Sequence, residues 1–193
     1  MGAGAIAYCG GAGEDISFDL ALFLRGCTVR VFDPTPRAIA HVEACDPHSE
    51  RFTFHPVGWW SRDGSLKFFA PTDARHVSHS VMNLQGTQDY FVARVRPIRA
   101  LMDELGDDHI DLIKMDIEGA EHEVLSSLLR TGSMPDVLCV EFDQPCSVRS
   151  IVQVTRRLRN QGMVPLKVEG WNVTYRSFAG VQRKGGAGGV LEA

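Results

Sequence analysis

This sequence lacks the features of a membrane or secreted protein. None of its apolar runs approaches the ~20 residues that a helix needs to span a bilayer. Residues 1–5 carry no basic region ahead of the short apolar stretch, so they do not fit a signal peptide. The five cysteines are scattered and form no Cys-x-x-Cys pair, which is typical of reduced thiols. Together these absences predict a cytoplasmic protein that does not insert into a membrane.

The chain also lacks an excess of positive charge. It has 20 lysines and arginines against 24 aspartates and glutamates, a formal net charge of -4. Proteins that bind phosphate backbones usually present a basic surface, so no nucleic-acid partner is expected. At 193 residues with 44% hydrophobic content, the composition is that of one globular domain. We expect this domain over residues 1–182, followed by a flexible glycine-rich tail at 183–193.

What the chain does contain is an alternation of strand-like and helix-like segments. Strands are predicted at 6–9, 29–32, 52–57, 110–115 and 137–142, and helices beginning near 16, 36, 97, 120 and 148. Residues 58–97 are predicted to be irregular apart from strand-like stretches at 66–69 and 90–93, and 164–168 pairs with 173–178 in a terminal hairpin. This alternation predicts a mostly parallel sheet with helices on both faces.

The most informative segment is residues 111–125, DLIKMDIEGAEHEVL. It begins as a buried strand and ends as an amphipathic helix, with Asp116, Glu118 and Gly119 at the junction. Carboxylates at the carboxyl end of a strand lie where open α/β sheets bind their ligands. Residues two apart in an extended segment point to one side, so Asp116 and Glu118 are expected to face one site. A solvated polar loop with a glycine turn is the alternative.

A glycine turn, Gly11-x-Gly13, follows the first predicted strand, and Asp33 ends the second. This layout is typical of a nucleoside-binding half, in which the acid accepts hydrogen bonds from ribose hydroxyls. The third glycine of the dinucleotide fingerprint would fall at position 16, which is Ile16, so a pyrophosphate cofactor is disfavoured. S-adenosylmethionine has a ribose and an adenine but no phosphate, so it tolerates this departure. The alternative is an ordinary strand-to-helix turn beside an exposed acid.

Five segments of the chain resemble the FkbM family of S-adenosylmethionine-dependent methyltransferases. In the family's order, they are 11–15 (GAGED), 32–36 (FDPTP), 55–58 (HPVG), 114–121 (KMDIEGAE) and 140–142 (VEF). The run DIEGAE is quite specific, whereas the glycine turn is not. The resemblance implies a class I, Rossmann-like methyltransferase fold: an α/β architecture whose mostly parallel seven-stranded sheet ends in an antiparallel hairpin.

The resemblance also implies a set of residues that bind S-adenosylmethionine, and its product S-adenosylhomocysteine. These are Gly11, Gly13 and Asp15 at the methionine part, Asp33 at the ribose, Val57 and Gly58 at the adenine, and Asp116 beside the methionine moiety and the reacting centre. Pro34 is a further cofactor-binding candidate. The chain departs from many relatives at three of the compared positions. Cys9 stands where many have an acid, Gly13 where many have asparagine, and Asp33 is shorter than the frequent glutamate.

Methylation of a hydroxyl releases a proton, and a positioned base supplies roughly 10²–10⁴-fold in rate. Asp116, Glu118 and His79 are the candidate catalytic residues. For His79 the alternative is a solvent-exposed loop histidine without a catalytic role. Lys114 is expected to be structural, paired with Glu118 or Glu141. A metal site built from Asp116, Glu118 and Glu141 is conceivable because hard cations take oxygen ligands, but no metal is expected.

The expected function is transfer of a methyl group from S-adenosylmethionine to a hydroxyl of a small molecule, sugar or natural product. The hydroxyl acceptor follows from the family resemblance alone. Trp59, Trp60 and Trp171 are candidate apolar walls for this acceptor. Two other functions stay open, a nicotinamide-dependent oxidoreductase and a catalytically silent module that only binds the cofactor. The sequence determines neither the acceptor nor the oligomeric state.

Overall fold

The computed structural model describes residues 1–45, 47, 49–70, 80–83, 86–143 and 146–178. The strands in these ranges are β1 (Ile6–Gly10), β2 (Thr28–Phe32), β3 (Phe52–His55), β4 (Gly58–Trp59), β5 (Gly64–Phe69), β6 (Tyr90–Arg96), β7 (Leu112–Met115), β8 (Val137–Glu141), β9 (Met163–Glu169) and β10 (Asn172–Ser177). The helices are α1 (Ser17–Leu24), α2 (Pro36–Cys45), α3 (Ile98–Leu105), α4 (Glu121–Thr131) and α5 (Val148–Asn160). The predicted tail at 183–193 lies outside the described residues.

Seven of these strands form the main sheet, in the order β3-β2-β1-β7-β8-β10-β9. The pairs from β3 to β8 are parallel, and β10 is antiparallel to both β8 and β9. The predicted class I methyltransferase fold and its terminal hairpin are confirmed. Because the strand order reverses direction at β1 and β7, the carboxyl ends of these two strands border the crevice where open α/β sheets bind ligands.

Two buried layers cover the faces of this sheet. Successive strand residues point to opposite faces, so Tyr8 of β1 packs with residues of α4 and α5, whereas Ala7 and Cys9 pack with residues of α1 and α2. The prediction of helices on both faces is therefore confirmed. These two layers hold the carboxyl ends of β1, β2 and β7 in a fixed arrangement, which positions the candidate site.

A second, three-stranded sheet with the order β4-β6-β5 occupies much of the region that the sequence predicts to be irregular. The predicted stretches 66–69 and 90–93 are parts of β5 and β6, but both strands are longer. Their polar ends pair through the backbone, as in the Ser65–Arg94 pair. Arg96 of β6 also forms ion pairs with Asp63 and Glu104. The hydrophobic pattern misses such residues because backbone pairing, rather than apolar alternation, holds them in the sheet.

The start of helix α5 agrees with the sequence prediction, whereas the start of helix α1 differs from it by one residue. Ser147 accepts a hydrogen bond from the Ser150 N–H and so caps the N-terminus of α5, which begins at Val148 as predicted. Helix α1 begins at Ser17, one residue later than predicted, and Asp15 accepts a hydrogen bond from the Ser17 N–H at 2.8 Å. All five cysteines are free thiols. In the described part of the chain, no helix has the length and apolar character needed to cross a membrane.

Candidate active site

A cavity of about 400 Å³ lies at the carboxyl ends of β1, β2 and β7, within the size range of small-molecule sites. It is lined by residues from the glycine turn, α1, the end of β2, the second sheet and the β7–α4 junction. Among the predicted cofactor residues, the lining includes Gly11, Gly13, Asp15, Asp33, Pro34, Gly58 and Asp116, and it also includes Glu118. The structure thus brings together residues that are far apart in sequence.

One predicted cofactor residue among the described ones, Val57, does not line this cavity. Val57 is buried in the core, and its backbone N–H donates to the His55 carbonyl oxygen at 2.8 Å. Strand β3 ends at His55, so this tight turn directs Val57 inward and leaves Gly58 at the cavity. His79 lies outside the described residues.

The glycine turn is shaped by its contact with the β7–α4 junction. Gly11 has a φ of +82°, and a Cβ at this position would lie 1.6 Å from the carbonyl oxygen of Asp116. Gly13 also has a positive φ, +53°, but no atom of the described residues lies within 4 Å of its Cβ position. Glycine is therefore required at Gly11, by packing as well as by backbone conformation, whereas at Gly13 only the backbone conformation favours it.

Asp33 directly follows β2, and its side chain binds the backbone of the glycine turn. Its Oδ2 accepts hydrogen bonds from the backbone N–H groups of Ala12 at 2.9 Å and Gly13 at 3.0 Å. Its Oδ1 accepts a third from the Thr35 N–H at 2.8 Å. With only 5% of the residue exposed, these bonds compensate the cost of burying the carboxylate. Asp33 thus fixes the glycine turn in addition to lining the cavity.

Lys114 has different partners from those predicted. Its ammonium donates to the carbonyl oxygen of Gly11 and lies 3.4 Å from the Asp116 Oδ2. The expected pairing with Glu118 or Glu141 is therefore wrong. The physical reason is that the glycine turn packs closely against the end of β7. This packing places the Gly11 carbonyl oxygen and the Asp116 carboxylate next to the Lys114 ammonium.

Glu118 reaches the cavity through a left-handed backbone. Its φ is +55°, the only positive φ among the described non-glycine residues. The Ser80 hydroxyl donates to its carbonyl oxygen. Asp116 and Glu118 both line the cavity, so they face one site as expected. They do not do so as alternate residues of an extended strand, because β7 already ends at Met115. A left-handed glutamate is strained, and such strain is often retained at functional sites.

A third carboxylate, Asp143, completes a cluster with Asp116 and Glu118. One carboxylate oxygen of each residue lies within 4.8 Å of the others. Asp143 follows β8, whereas the predicted third acid, Glu141, is still within β8 and pairs with Asn172. The sequence prediction missed Asp143 because its place in the cluster depends on contacts with the distant β7–α4 junction, such as the hydrogen bond from the Gly119 N–H. Asp116, Glu118 and Asp143 could hold a hard cation, but a cluster of acids alone does not identify one.

Asp143 also shares a hydrogen-bond donor with Glu121 of α4. The Gly119 N–H donates to Asp143 Oδ2 at 3.1 Å and to Glu121 Oε1 at 2.9 Å. Burial raises the pKa of Asp143 to about 7, and the nearby Glu121 charge adds to this effect. Burial also raises the pKa of Glu121. This pair therefore retains a proton under conditions in which ordinary carboxylates have lost theirs.

Cys9, where the family resemblance led us to expect an acid, lies in β1 just before the glycine turn. It is 1% exposed, and its thiol is hydrogen-bonded to the side chain of Asp19, a buried residue of α1. Burial raises the pKa of both groups. A carboxylate is thus present near the position of the missing acid, but it comes from α1 instead of β1.

Aromatic residues form the apolar part of the cavity wall. Phe18, Phe32, Trp59 and Phe68 line it. Trp59, a predicted wall for the acceptor, is part of this lining, whereas Trp171 is 40% exposed on the terminal hairpin. Phe68 belongs to β5, so its place at the cavity depends on the second sheet, which the sequence does not predict. These rings offer flat apolar surface to a ligand with a planar base.

Comparison with known proteins identifies the family. Residues 6–162 match the family model described as the methyltransferase FkbM domain. The chain belongs to the FkbM methyltransferase family. The sequence-based assignment to FkbM is confirmed, and membership makes this FkbM protein an S-adenosylmethionine-dependent methyltransferase. A search of curated protein sequences returned no match.

Several solved structures resemble the FkbM protein. The precorrin-6y C5,15-methyltransferase of Geobacter metallireducens is 11% identical, with a TM-score of 0.47 and coverage of 92% of this chain and 83% of that one. The TehB-like methyltransferase of Corynebacterium glutamicum is 14% identical, with a TM-score of 0.47 and coverage of 92% and 82%. The 1,6-didemethyltoxoflavin-N1-methyltransferase of Burkholderia thailandensis, solved with S-adenosylhomocysteine, is 15% identical, with a TM-score of 0.42 and coverage of 91% and 72%.

The charges of the cavity wall fit S-adenosylmethionine. Five carboxylates line the cavity, from Glu14, Asp15, Asp33, Asp116 and Glu118, and one described cation does, from Lys114. S-adenosylmethionine carries a sulfonium and an ammonium against a single carboxylate, so its net charge is positive. A dinucleotide would instead bring a negatively charged pyrophosphate to this acidic wall. The nicotinamide-dependent alternative therefore loses its support.

Proposed function

We propose that this FkbM methyltransferase transfers the methyl group of S-adenosylmethionine to a hydroxyl of a small molecule, sugar or natural product. The observation that carries the proposal is the carboxylate cluster of Asp116, Glu118 and Asp143 beside the cavity. A hydroxyl becomes a competent nucleophile only as it loses its proton. A cluster of carboxylates beside the cavity, two of which line it, supplies acceptors for that proton.

The members of the cluster have different parts in this proposal. Asp116 and Glu118 line the cavity and orient the acceptor hydroxyl by accepting its hydrogen bond. Asp143 takes the proton, because a base is most effective when its pKa is close to the working pH, and the pKa of Asp143 is raised to about 7. When bound, S-adenosylmethionine supplies a methyl group attached to a good sulfonium leaving group. His79 remains a predicted alternative base.

Three further assignments stay proposals. The absence of paired cysteine motifs and the five free thiols support a cytoplasmic location. The formal net charge of -4 supports an acceptor other than nucleic acid. Residues 1–182 are proposed to act as one domain, with 183–193 as a tail.

A panel of acceptors tests the hydroxyl assignment. The purified protein is incubated with methyl-labelled S-adenosylmethionine and matched alcohols, sugars, amines and carbon nucleophiles, and the products are identified by NMR. The proposal predicts an O-methyl product, whose formation Asp143→Asn slows about 10²-fold or more. Asp103→Asn, an exposed change on α3, serves as the control and is expected to leave the rate unchanged. Methylation of nitrogen or carbon alone would contradict the proposal.

A further outcome separates the proposal from the silent module. If the protein binds S-adenosylhomocysteine but methylates none of the acceptor classes, the proposed O-methyltransferase activity is wrong. The cavity would then be a cofactor-binding site without transfer. The Asp143→Asn variant distinguishes these results, because a silent module gives it the same zero turnover as the unmodified protein.

A further inference from the structure

The cavity has a conspicuous asymmetry of charge. Among the described residues that line it, Lys114 is the only cation, and it faces a wall that carries five carboxylates. The ammonium lies at the junction of the glycine turn and the end of β7, next to Gly11 and Asp116. The Lys114 side chain is 21% exposed. Lys114 is therefore accessible from the cavity instead of enclosed in the core.

The hydrogen bonds of Lys114 leave it with unused capacity. An ammonium has three N–H donors. One donates to the carbonyl oxygen of Gly11, and a second is directed to Asp116 Oδ2 across 3.4 Å. The described residues provide no acceptor for the third. An anionic group on a ligand in this cavity would satisfy that donor with a charge-assisted hydrogen bond.

The ligand that the family uses has one group of this kind. S-adenosylmethionine carries two positive groups and a single negative one, the α-carboxylate of its methionine part. We propose that Lys114 binds this α-carboxylate and so fixes the methionine end of the cofactor against the glycine turn, an inference that rests on the cofactor placement in the proposed function. The neighbouring carboxylates of Asp15 and Asp116 then face the α-ammonium.

Such a contact also determines ligand selectivity. A cation at one end of an acidic cavity favours ligands that carry an amino-acid moiety over plain nucleosides. Lys114 would thus discriminate S-adenosylmethionine and S-adenosylhomocysteine from 5′-methylthioadenosine, which lacks the α-carboxylate and the α-ammonium. Its bonds to Gly11 and Asp116 position the ammonium for this role.

The competing explanation is that Lys114 only ties the glycine turn to Asp116. Removing a purely structural lysine would weaken the binding of every adenosine ligand by a similar factor. Removing a carboxylate-binding lysine would weaken only the ligands that carry the carboxylate. The two roles therefore differ in a ratio of affinities, which is independent of catalytic turnover.

Calorimetric titration measures this ratio. The unmodified protein and Lys114→Met are titrated with S-adenosylhomocysteine, with its decarboxylated analogue and with 5′-methylthioadenosine. We expect Lys114→Met to bind S-adenosylhomocysteine about 10- to 100-fold more weakly, the range for a hydrogen bond between charged groups, and to bind the other two ligands within about threefold of the unmodified protein. Lys167→Met, the same change on the exposed hairpin, is expected to alter none of the three.

The unmodified protein gives a second measurement that does not depend on the stability of the variant. It is expected to bind the decarboxylated analogue about 10- to 100-fold more weakly than S-adenosylhomocysteine. Equal affinity for these two ligands would overturn the role of Lys114, as would a loss in Lys114→Met shared by all three ligands. If the unmodified protein bound no S-adenosylhomocysteine at all, the cofactor placement itself would fail, and the inference with it.

Discussion

Asp33 at the end of β2 accepts a hydrogen bond from the backbone N–H of Gly13 at 3.0 Å, although the two residues belong to different strand-to-helix connections. The same carboxylate oxygen accepts the Ala12 N–H, and the other oxygen accepts the Thr35 N–H. The acid predicted to contact the ribose is therefore also a structural part of the glycine turn. Its loss should affect folding and cofactor binding together.

Asp33→Asn tests this double role. The amide keeps one acceptor oxygen but turns an NH₂ group toward a backbone donor, so at least one buried N–H loses its partner. We expect the free energy of unfolding to fall by about 1–3 kcal/mol, measured by urea denaturation. S-adenosylhomocysteine should also bind more weakly. Asp103→Asn, which removes an exposed charge on α3, should cost less than about 0.5 kcal/mol. A similar small cost at Asp33 would show that its three bonds contribute little.

Gly11 and Gly13 are expected to respond differently to the same substitution. In Gly11→Ala, the new Cβ would collide with the Asp116 carbonyl oxygen, and the backbone would be left-handed. These two costs together are about 2–5 kcal/mol. Gly13→Ala has only the conformational cost of about 1–2 kcal/mol. Thermal or urea unfolding of the two variants measures the difference, and equal losses would mean that the turn moves away from β7 without cost.

Glu118 offers a test of a trade-off between stability and activity. Asparagine adopts the left-handed conformation more easily than glutamate, so Glu118→Asn should raise the free energy of unfolding by about 1 kcal/mol. The same change should reduce methyl transfer, because the carboxylate that lines the cavity is gone. Glu123→Asn, within the first turn of helix α4, should instead lower the stability, since asparagine has a lower helix propensity than glutamate and lacks its favourable charge. A stability loss at both positions would exclude strain at Glu118.

The Asp143–Glu121 pair predicts a pH dependence of stability. The pKa of Asp143 is raised to about 7 in the folded protein, whereas a solvated aspartate has a pKa near 3.8. Between these values the folded state holds a proton that the unfolded state has released, so the contribution of Asp143 to stability is lost as the pH rises toward 7 and above. Asp143→Asn removes this titration while its amide oxygen still accepts from Gly119.

Urea denaturation at pH 5 and pH 8 measures this effect. The stability of Asp143→Asn relative to the unmodified protein should increase from pH 5 to pH 8. The comparison uses the difference between the two proteins because every other titrating group is common to both. A constant difference across this range would mean that Asp143 titrates as an ordinary exposed acid.

Much of the fold follows from local patterns in the sequence. The strands β1, β2 and β7 are short apolar runs that end at Gly10, Phe32 and Met115, and each is followed by turn residues. Such elements are determined by hydrophobic periodicity and by side chains close in sequence, such as Ser147 at the start of α5. These are the features for which a single sequence carries a direct physical signal.

The parts that the sequence did not predict depend on contacts between distant segments. The partners of Lys114 come from the packing of the glycine turn on β7. The inclusion of Asp143 depends on its contact with the Gly119 N–H at the β7–α4 junction. No hydrophobic pattern in the sequence indicates the left-handed backbone of Glu118. Phe68 reaches the cavity only because the second sheet forms. Pairing and burial at long range decide these positions, so periodicity does not reveal them.

The most direct test of the cavity assignment is a crystal structure of the protein with S-adenosylhomocysteine. We expect the adenosine between Asp33 and Gly58, the α-carboxylate on Lys114, and the sulfur directed toward Asp116 and Glu118. This arrangement would place the transferred methyl group of the substrate complex next to the carboxylate cluster. Density for the ligand outside the cavity, or with its sulfur away from these acids, would show that the proposed cofactor site is wrong.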